Sequence, residues 1–324
     1  MSKYLFKVKE LKKYRDFLGL LKKSNHAIIL HTTDTMLLEI VAKLAVMQFE
    51  CESDNGPCLI CQNCQKILDG NAIDVEYFGN SKNIVVEDSE TIVADSYVLP
   101  IQFKNKYFVL SNFENATTQA QNKLLKVIEE PQKFVKFIIL ASNLDGVLST
   151  IRSRCEIYDV PKFDDEELKN LFDFKLGEGK KLGFSTEYAN GSLTKLDAIY
   201  NDEDFESINE LCQKITTNML SSANVLEYSS KILKYKSKID MVLDILESIY
   251  RDMLVVRLQK NDLVQNKQFL NGIVVLANST NNVALTNIIK EIEKTKQKIK
   301  YNANLSGVVD NLLLKILEIK HICK

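Results

Sequence analysis

Four cysteines carry the first recognisable chemistry in this chain. Cys51, Cys58, Cys61 and Cys64 follow the spacing C-x6-C-x2-C-x2-C. A C-x2-C pair brings two thiolates round one turn onto a single ion, and four thiolates complete the tetrahedron that zinc favours. No position stays open for water, so the expected zinc is structural rather than catalytic. Gly56-Pro57 bends the chain just ahead of the second ligand. The other three cysteines, Cys155, Cys212 and Cys323, are scattered, as reduced core cysteines are. This usage fits a reducing compartment, and the expected location is cytoplasmic.

A second chemistry belongs to an arginine. Ser153-Arg154-Cys155 follows a short helical piece, Leu148 to Ile151, and precedes a strand. A guanidinium on such a turn can grip a phosphate bidentately, including one held by another subunit. Arg152 reads as a surface or supporting residue. His26, His31 and His321 lie far apart, and no Ser-His-Asp, Cys-His or paired-carboxylate arrangement is visible. Lys290, Lys294, Lys296, Lys298 and Lys300 form a basic run mixed with Glu291 and Glu293. Such a run reads as a solvated helix face in preference to a DNA contact.

A third chemistry is conspicuous by what replaces it. His26–Leu30 reads as a buried strand, and Asp34–Phe49 as a helix with Leu37, Leu38, Val41, Leu44 and Ala45 on one face. A phosphate loop at this joint needs G-x-x-x-x-G-K-[ST], whose backbone N–H groups wrap the anion. The joint is His31-Thr32-Thr33-Asp34-Thr35-Met36, with no glycine, no lysine, and a carboxylate that repels phosphate. The strand Lys106–Leu110 ends in Ser111-Asn112, where magnesium-positioning acids belong, and Glu114 is displaced.

The elements around these groups form an α/β domain over residues 1–160. Candidate strands are 26–31, 73–78, 83–86, 106–110, 135–141 and 155–160, with helices between them, which predicts a mainly parallel sheet. Leu124, Leu125 and Ile128 recur at helical spacing before Pro131. Pro161 marks a boundary, and Asp164 is placed to cap a helix over 166–176. A small helical lid domain is expected over 161–203, and helices alone over 204–324. There Ile239, Leu243, Leu246, Tyr250, Met253 and Val256 make one apolar stripe. The chain has 324 residues, 45% hydrophobic and 26% charged, with a formal net charge of −1, so no global basicity advertises nucleic acid. Apolar runs of about five residues fall far short of the roughly 20 that span a bilayer, and the N-terminus lacks a signal peptide's apolar stretch.

Gln121-Asn-Lys-Leu-Leu-Lys-Val-Ile-Glu-Glu-Pro131, the strand after it, and Ser153-Arg154-Cys155 together resemble the clamp-loader branch of the AAA+ ATPases. In that family a helix ending in LLK-x-x-EEP precedes the sensor-1 strand, and Ser-Arg-Cys carries a trans-acting arginine finger. A zinc module follows the first helix of its nucleotide-binding domain, where Cys51–Cys64 stand. Tyr188-Ala-Asn-Gly-Ser-Leu-Thr-Lys-Leu196 resembles the sensor-2 segment A-x-G-S-x-R, with Thr194 at the arginine position and Lys195 beside it. Leu246–Leu258 and Ile299–Leu305 resemble the C-terminal collar. An arginine finger without a phosphate loop resembles the delta-prime subunit family of the bacterial DNA polymerase III loader. That resemblance implies no ATP bound by this chain, a finger at Arg154, and gamma/tau and delta subunits as partners. Through the complex it implies the β sliding clamp and primed DNA. Two other readings are weighed: a divergent gamma/tau-like ATPase, and a zinc-stabilised single-strand DNA-binding module.

Overall fold

The computed structural model describes residues 2–176, 186–189, 191–218, 221–260, 263–266, 269–301 and 304–322. Contacts group the chain into two compact units, Met1–Lys181 with Gly191–Thr194, and Leu182–Asn190 with Lys195–Lys324.

The first unit begins with α1 (Ser2–Glu10) and α2 (Lys12–Leu21) and continues through β1 (Ala27–His31) into α3 (Thr35–Glu50). After the cysteine module come α4 (Gln62–Leu68), β2 (Val75–Phe78), α5 (Val86–Asp95) and β3 (Lys106–Leu110). Then follow α6 (Thr118–Glu129), β4 (Val135–Ala141), α7 (Ser149–Arg152), β5 (Glu156–Asp159) and α8 (Asp165–Leu176). The sheet is parallel throughout, in the order β2-β3-β4-β1-β5. Each strand is joined to the next through helix, as parallel pairing requires.

A sheet covered on both faces needs apolar residues at every strand position, and the central strands supply them. Ile29, Phe108, Phe137 and Ile139 share one buried cluster with Ile92 of α5 and Leu124 and Ile128 of α6. The alternate residues Ile28, Leu30, Val109, Ile138 and Leu140 are also buried, and α3 packs on β1 and β4. The stripe expected on α3 is buried in full, and so are Ile40, Ala42, Val46 and Met47, because α1, α2 and α4 cover its other sides.

One expected strand is absent. Residues 83–86 are not in the sheet: Ile84 is buried, and Val85 precedes α5 as its N-cap, its N–H donating to Asp88 Oδ2 at 3.0 Å. A short apolar run fits a strand or a helix lead-in equally well, and here the helix start claims it. Asp164 caps α8 as expected: it accepts from the Glu167 N–H at 2.8 Å, and Glu167 accepts from the Asp164 N–H at 2.9 Å. The Tyr14 hydroxyl donates to Pro161 O at 2.6 Å, and Lys13 pairs with Glu167, so α2 holds α8 within this unit.

Helix α9 (Leu193–Tyr200) starts in the first unit and continues in the second. The second unit contains α10 (Phe205–Asn218), α11 (Ser222–Ile232), α12 (Ile239–Arg257), α13 (Leu270–Asn278), α14 (Asn282–Lys300) and α15 (Leu305–Ile322). Among its described residues there is no strand. The stripe expected on α12 packs into one cluster with Ile208 and Cys212 of α10, Ile288 of α14 and Leu313 of α15. Only Val256, at the stripe's far end, is partly exposed. Among the described residues no helix is long and apolar enough to cross a membrane.

Candidate functional site

The cysteine module hangs between α3 and α4. Cys51 follows the last residue of α3, Cys61 is the N-cap of α4 and Cys64 lies within it, so two helices fix three of the four thiols. The Sγ atoms of Cys51, Cys58, Cys61 and Cys64 lie within 4.8 Å of one another. Tetrahedral zinc with bonds of about 2.3 Å sets its sulfurs roughly 3.8 Å apart, so the cluster fits such an ion with little movement. Backbone N–H groups point at the sulfurs: Cys58 N at 3.3 Å from Cys51 Sγ, Cys61 N at 3.2 Å from Cys58 Sγ. Burial works against a thiolate at Cys58, but the N–H groups of Ile60 and Cys61 and the neighbouring thiols outweigh it and bring the group down to about 6. Burial pushes Cys64 up, so a thiolate there calls for a cation beside it. Gly56 is required here: a Cβ at this position would lie 2.6 Å from Cys51 Cβ and 2.8 Å from its Sγ.

Arg154 stands one residue past the C-cap of α7, exposed. Its Nε lies 3.0 Å from Glu129 Oε2, at the end of α6, and its Nη1 donates to Thr150 O at 3.0 Å. The Glu129 carboxylate favours the charged guanidinium further. Arg152 is half-buried, and its enclosed Nε has no hydrogen-bond partner among the described residues. The two arginines therefore differ in setting: one is displayed, the other embedded.

The joint between β1 and α3 is closed by Asp34. Its side chain is 2% exposed and caps α3, accepting from the Leu37 N–H at 3.2 Å. The same carboxylate accepts from Leu193 N at 2.6 Å, Thr194 N at 3.2 Å and Thr194 Oγ1 at 2.5 Å. Thr194 Oγ1 also accepts from the Met36 N–H at 2.9 Å. The first free N–H groups of α3, where an anion would bind, are thus taken by two side chains of the protein itself. Gly191 makes the approach possible: its φ is +74°, and a Cβ there would lie 2.4 Å from Phe163 O. Asn190, in the middle of the sensor-2-like segment, lies outside the described residues, as do Asn302 and Ala303 of the collar-like one.

At the end of β3, Ser111 is buried and Asn112 takes a left-handed turn, φ 48°, with its Nδ2 donating to Gly79 O at 3.0 Å. Glu114 Oε1 accepts from Ser142 N at 3.2 Å and from the Ser142 hydroxyl, tying this turn to the end of β4. Of the basic run on α14, Lys294 pairs with Glu291, and Lys296 with Asp244 and Glu247.

The structure also shows buried carboxylates that sequence reasoning missed. Glu50 accepts from Tyr107 OH at 2.7 Å and Asn105 Nδ2 at 2.8 Å. Asp74 accepts three successive N–H groups from Ile101 to Phe103. Asp252, fully buried on α12, accepts from Gln265 N at 3.0 Å and Asn266 N at 2.7 Å. Asp74 and Asp252 thus satisfy loop backbone N–H groups, and Glu50 does the same for Lys104 N at 3.2 Å.

Two family models match, "DNA polymerase III, delta subunit" over residues 18–164 and its C-terminal counterpart over 203–317. The chain is 27% identical over 300 residues to DNA polymerase III subunit gamma of Buchnera aphidicola subsp. Schizaphis graminum, covering 88% of this chain and 81% of that one. It is 24% identical over 289 residues to subunit delta' of Bacillus subtilis, covering 87% of each. A solved gamma-subunit-related protein from Thermotoga maritima aligns over 95% of this chain and all of its own length, with 17% identity and a TM-score of 0.47. With both models matched in order along the chain, and relatives named gamma and delta' aligned over most of its length, this protein belongs to the family of DNA polymerase III clamp-loader subunits.

Proposed function

We propose that this chain is the non-hydrolysing, delta-prime-type member of its loader, serving a neighbour's ATP site and having none of its own. The observation that carries the reading is the seat of Asp34. A carboxylate fixed at the start of α3 and bonded to Leu37, Leu193 and Thr194 takes the place a phosphate would need and repels it. Thr194, at the position expected for a sensor arginine, brings no positive charge to offset that repulsion.

In this reading Arg154 acts in trans. Its exposed guanidinium reaches the γ-phosphate of ATP bound by an adjoining gamma/tau subunit and offsets the charge that develops during phosphoryl transfer. Cys51, Cys58, Cys61 and Cys64 hold a structural zinc, which closes the short loop between α3 and α4. The chain divides functionally into an AAA+-like domain over 1–160, a lid over 161–203 and a collar over 204–324. In the collar, exposed apolar residues such as Leu226, Val275 and Val283 are available to neighbouring subunits. With delta and gamma/tau, the assembly opens the β clamp and places it on primed DNA.

Two measurements test this. Titration of the isolated chain with ATP should show no binding in the micromolar range. In a loader reconstituted with gamma/tau and delta, Arg154→Ala should assemble normally but lose part of its ATPase, while Arg152→Ala loses less. An arginine finger contributes roughly 10³-fold or more at the site it serves, and the other sites dilute that loss. The gamma relative supports one second reading, a divergent ATPase; micromolar ATP affinity in the isolated chain would establish it over the first.

A further inference from the structure

The geometry points to Glu129 as the residue that positions Arg154; the inference rests on the reading of Arg154 as a finger. Glu129 is the last residue of α6, where unsatisfied helix carbonyls already carry partial negative charge. A carboxylate there is disfavoured unless a cation joins it, and the Arg154 Nε meets it at 3.0 Å. The second anchor is Thr150 O, which accepts from Nη1 at 3.0 Å.

These two acceptors belong to different elements, yet they share one frame. Gln121 of α6 is buried; its Nε2 donates to Gly146 O at 2.9 Å, and its Oε1 accepts from Leu148 N at 2.9 Å. That amide ties α6 to the segment leading into α7, so Glu129 and Thr150 keep a fixed separation. Leu124 and Ile128 lock α6 into the core beneath them.

A guanidinium has five N–H donors in a rigid fork. Here Nε is taken by Glu129 and Nη1 by Thr150 O, with Ser153 Oγ at 3.5 Å. Nη2 makes no hydrogen bond among the described residues and remains available to a phosphate. A long, exposed arginine otherwise samples many rotamers, and it would lose that freedom only on meeting its target. Glu129 removes the freedom beforehand. The ion pair is exposed, so its effect on folding is small. Its effect on the direction of the guanidinium is what a finger depends on.

The test is a double-variant cycle in the reconstituted loader: Glu129→Gln, Glu129→Asp, Arg154→Ala, and Glu129→Gln with Arg154→Ala. The quantity read is the part of the ATPase that Arg154→Ala abolishes. Glu129→Gln should lower the turnover number of that part by roughly two- to fivefold, the range of an exposed ion pair, with the KM for ATP unchanged. Glu129→Asp, which keeps the charge, should recover part of the loss. The double variant should be no slower than Arg154→Ala alone, because Glu129 acts through the arginine. Glu129→Gln at or above the wild-type rate beside an impaired Arg154→Ala would overturn the positioning role alone. So would a Glu129→Gln loss of equal size in both backgrounds. Arg154→Ala at the wild-type rate would overturn the finger reading and this inference together.

Discussion

Replacing Asp34 with alanine tests the closure of the β1–α3 joint most directly. The substitution removes an N-cap, which costs about 1 kcal/mol. It also leaves the N–H groups of Leu193 and Thr194 without their acceptor, and each such loss costs about 1 kcal/mol where water can enter and more where it cannot. Relief from burying a charge works the other way, so the net loss should be about 3 kcal/mol, a large share of the 5–15 kcal/mol typical of a domain. For a unit of this size that corresponds to roughly 6–12 °C in Tm. Asp34→Asn should lose less, about 1–2 kcal/mol: its oxygen still serves Leu37 and Thr194, but its amide faces the Leu193 N–H. Urea unfolding followed by circular dichroism gives the stability. Hydrogen exchange of the segments around Leu37 and Leu193 locates the loss, and both should lose protection together. An Asp34→Ala protein within about 0.5 kcal/mol of wild type, with both segments still protected, would refute the argument that this carboxylate joins them.

Protein prepared without chelators should carry one zinc per chain by elemental analysis, and Cys61→Ser should lose it; a metal-free wild-type protein would dismiss the site. Gly56→Ala should weaken metal retention against a chelator, because the added methyl collides with Cys51, whereas unchanged retention would show that the loop can shift. In the second unit, burial lowers the Lys320 ammonium to about 8, and its Nζ donates to Thr216 O at 2.8 Å. Between about pH 8 and the ordinary lysine value near 10.4, the unfolded chain holds a proton at Lys320 that the folded one has released, so the contribution of Lys320 to stability rises with pH across that window. Tyr250 and Cys212, both pushed up by burial, keep their protons in the folded unit and release them on unfolding, so they work in the opposite direction. Urea midpoints should show the wild type gaining on Lys320→Met as pH rises through the window, and parallel pH profiles for the two proteins would contradict the assignment.

Local signals in the sequence were enough for the local features. The cysteine spacing placed four thiols that do converge, and Pro131 and Asp164 marked helix ends that exist. The apolar runs at 106–110 and 135–141 gave the sheet's central strands. The run at 83–86 misled because its few apolar residues carry no periodicity, and only the following helix decides their role. Asp34 was legible as an obstacle to phosphate but not as a latch. Its partners stand some 160 positions further along, a pairing no spacing rule encodes. Glu50, Asp74 and Asp252 were invisible for a related reason. Charged residues read as surface, and only the folded chain shows which loop N–H groups they satisfy.

On the proposed reading, the seat of Asp34 separates this joint from the energy currency of the cell. Where a helix start is held by a bound phosphate, the strength of the closure follows the free concentration of the nucleotide and vanishes when product departs. An anion that is part of the chain is present at a constant local concentration and cannot dissociate. On that reading the contacts from Leu37 to Leu193 and Thr194 are made to the same degree at every ratio of ATP to ADP. In an assembly of subunits that open and close with their ligands, such a joint is a fixed reference against which the others can move.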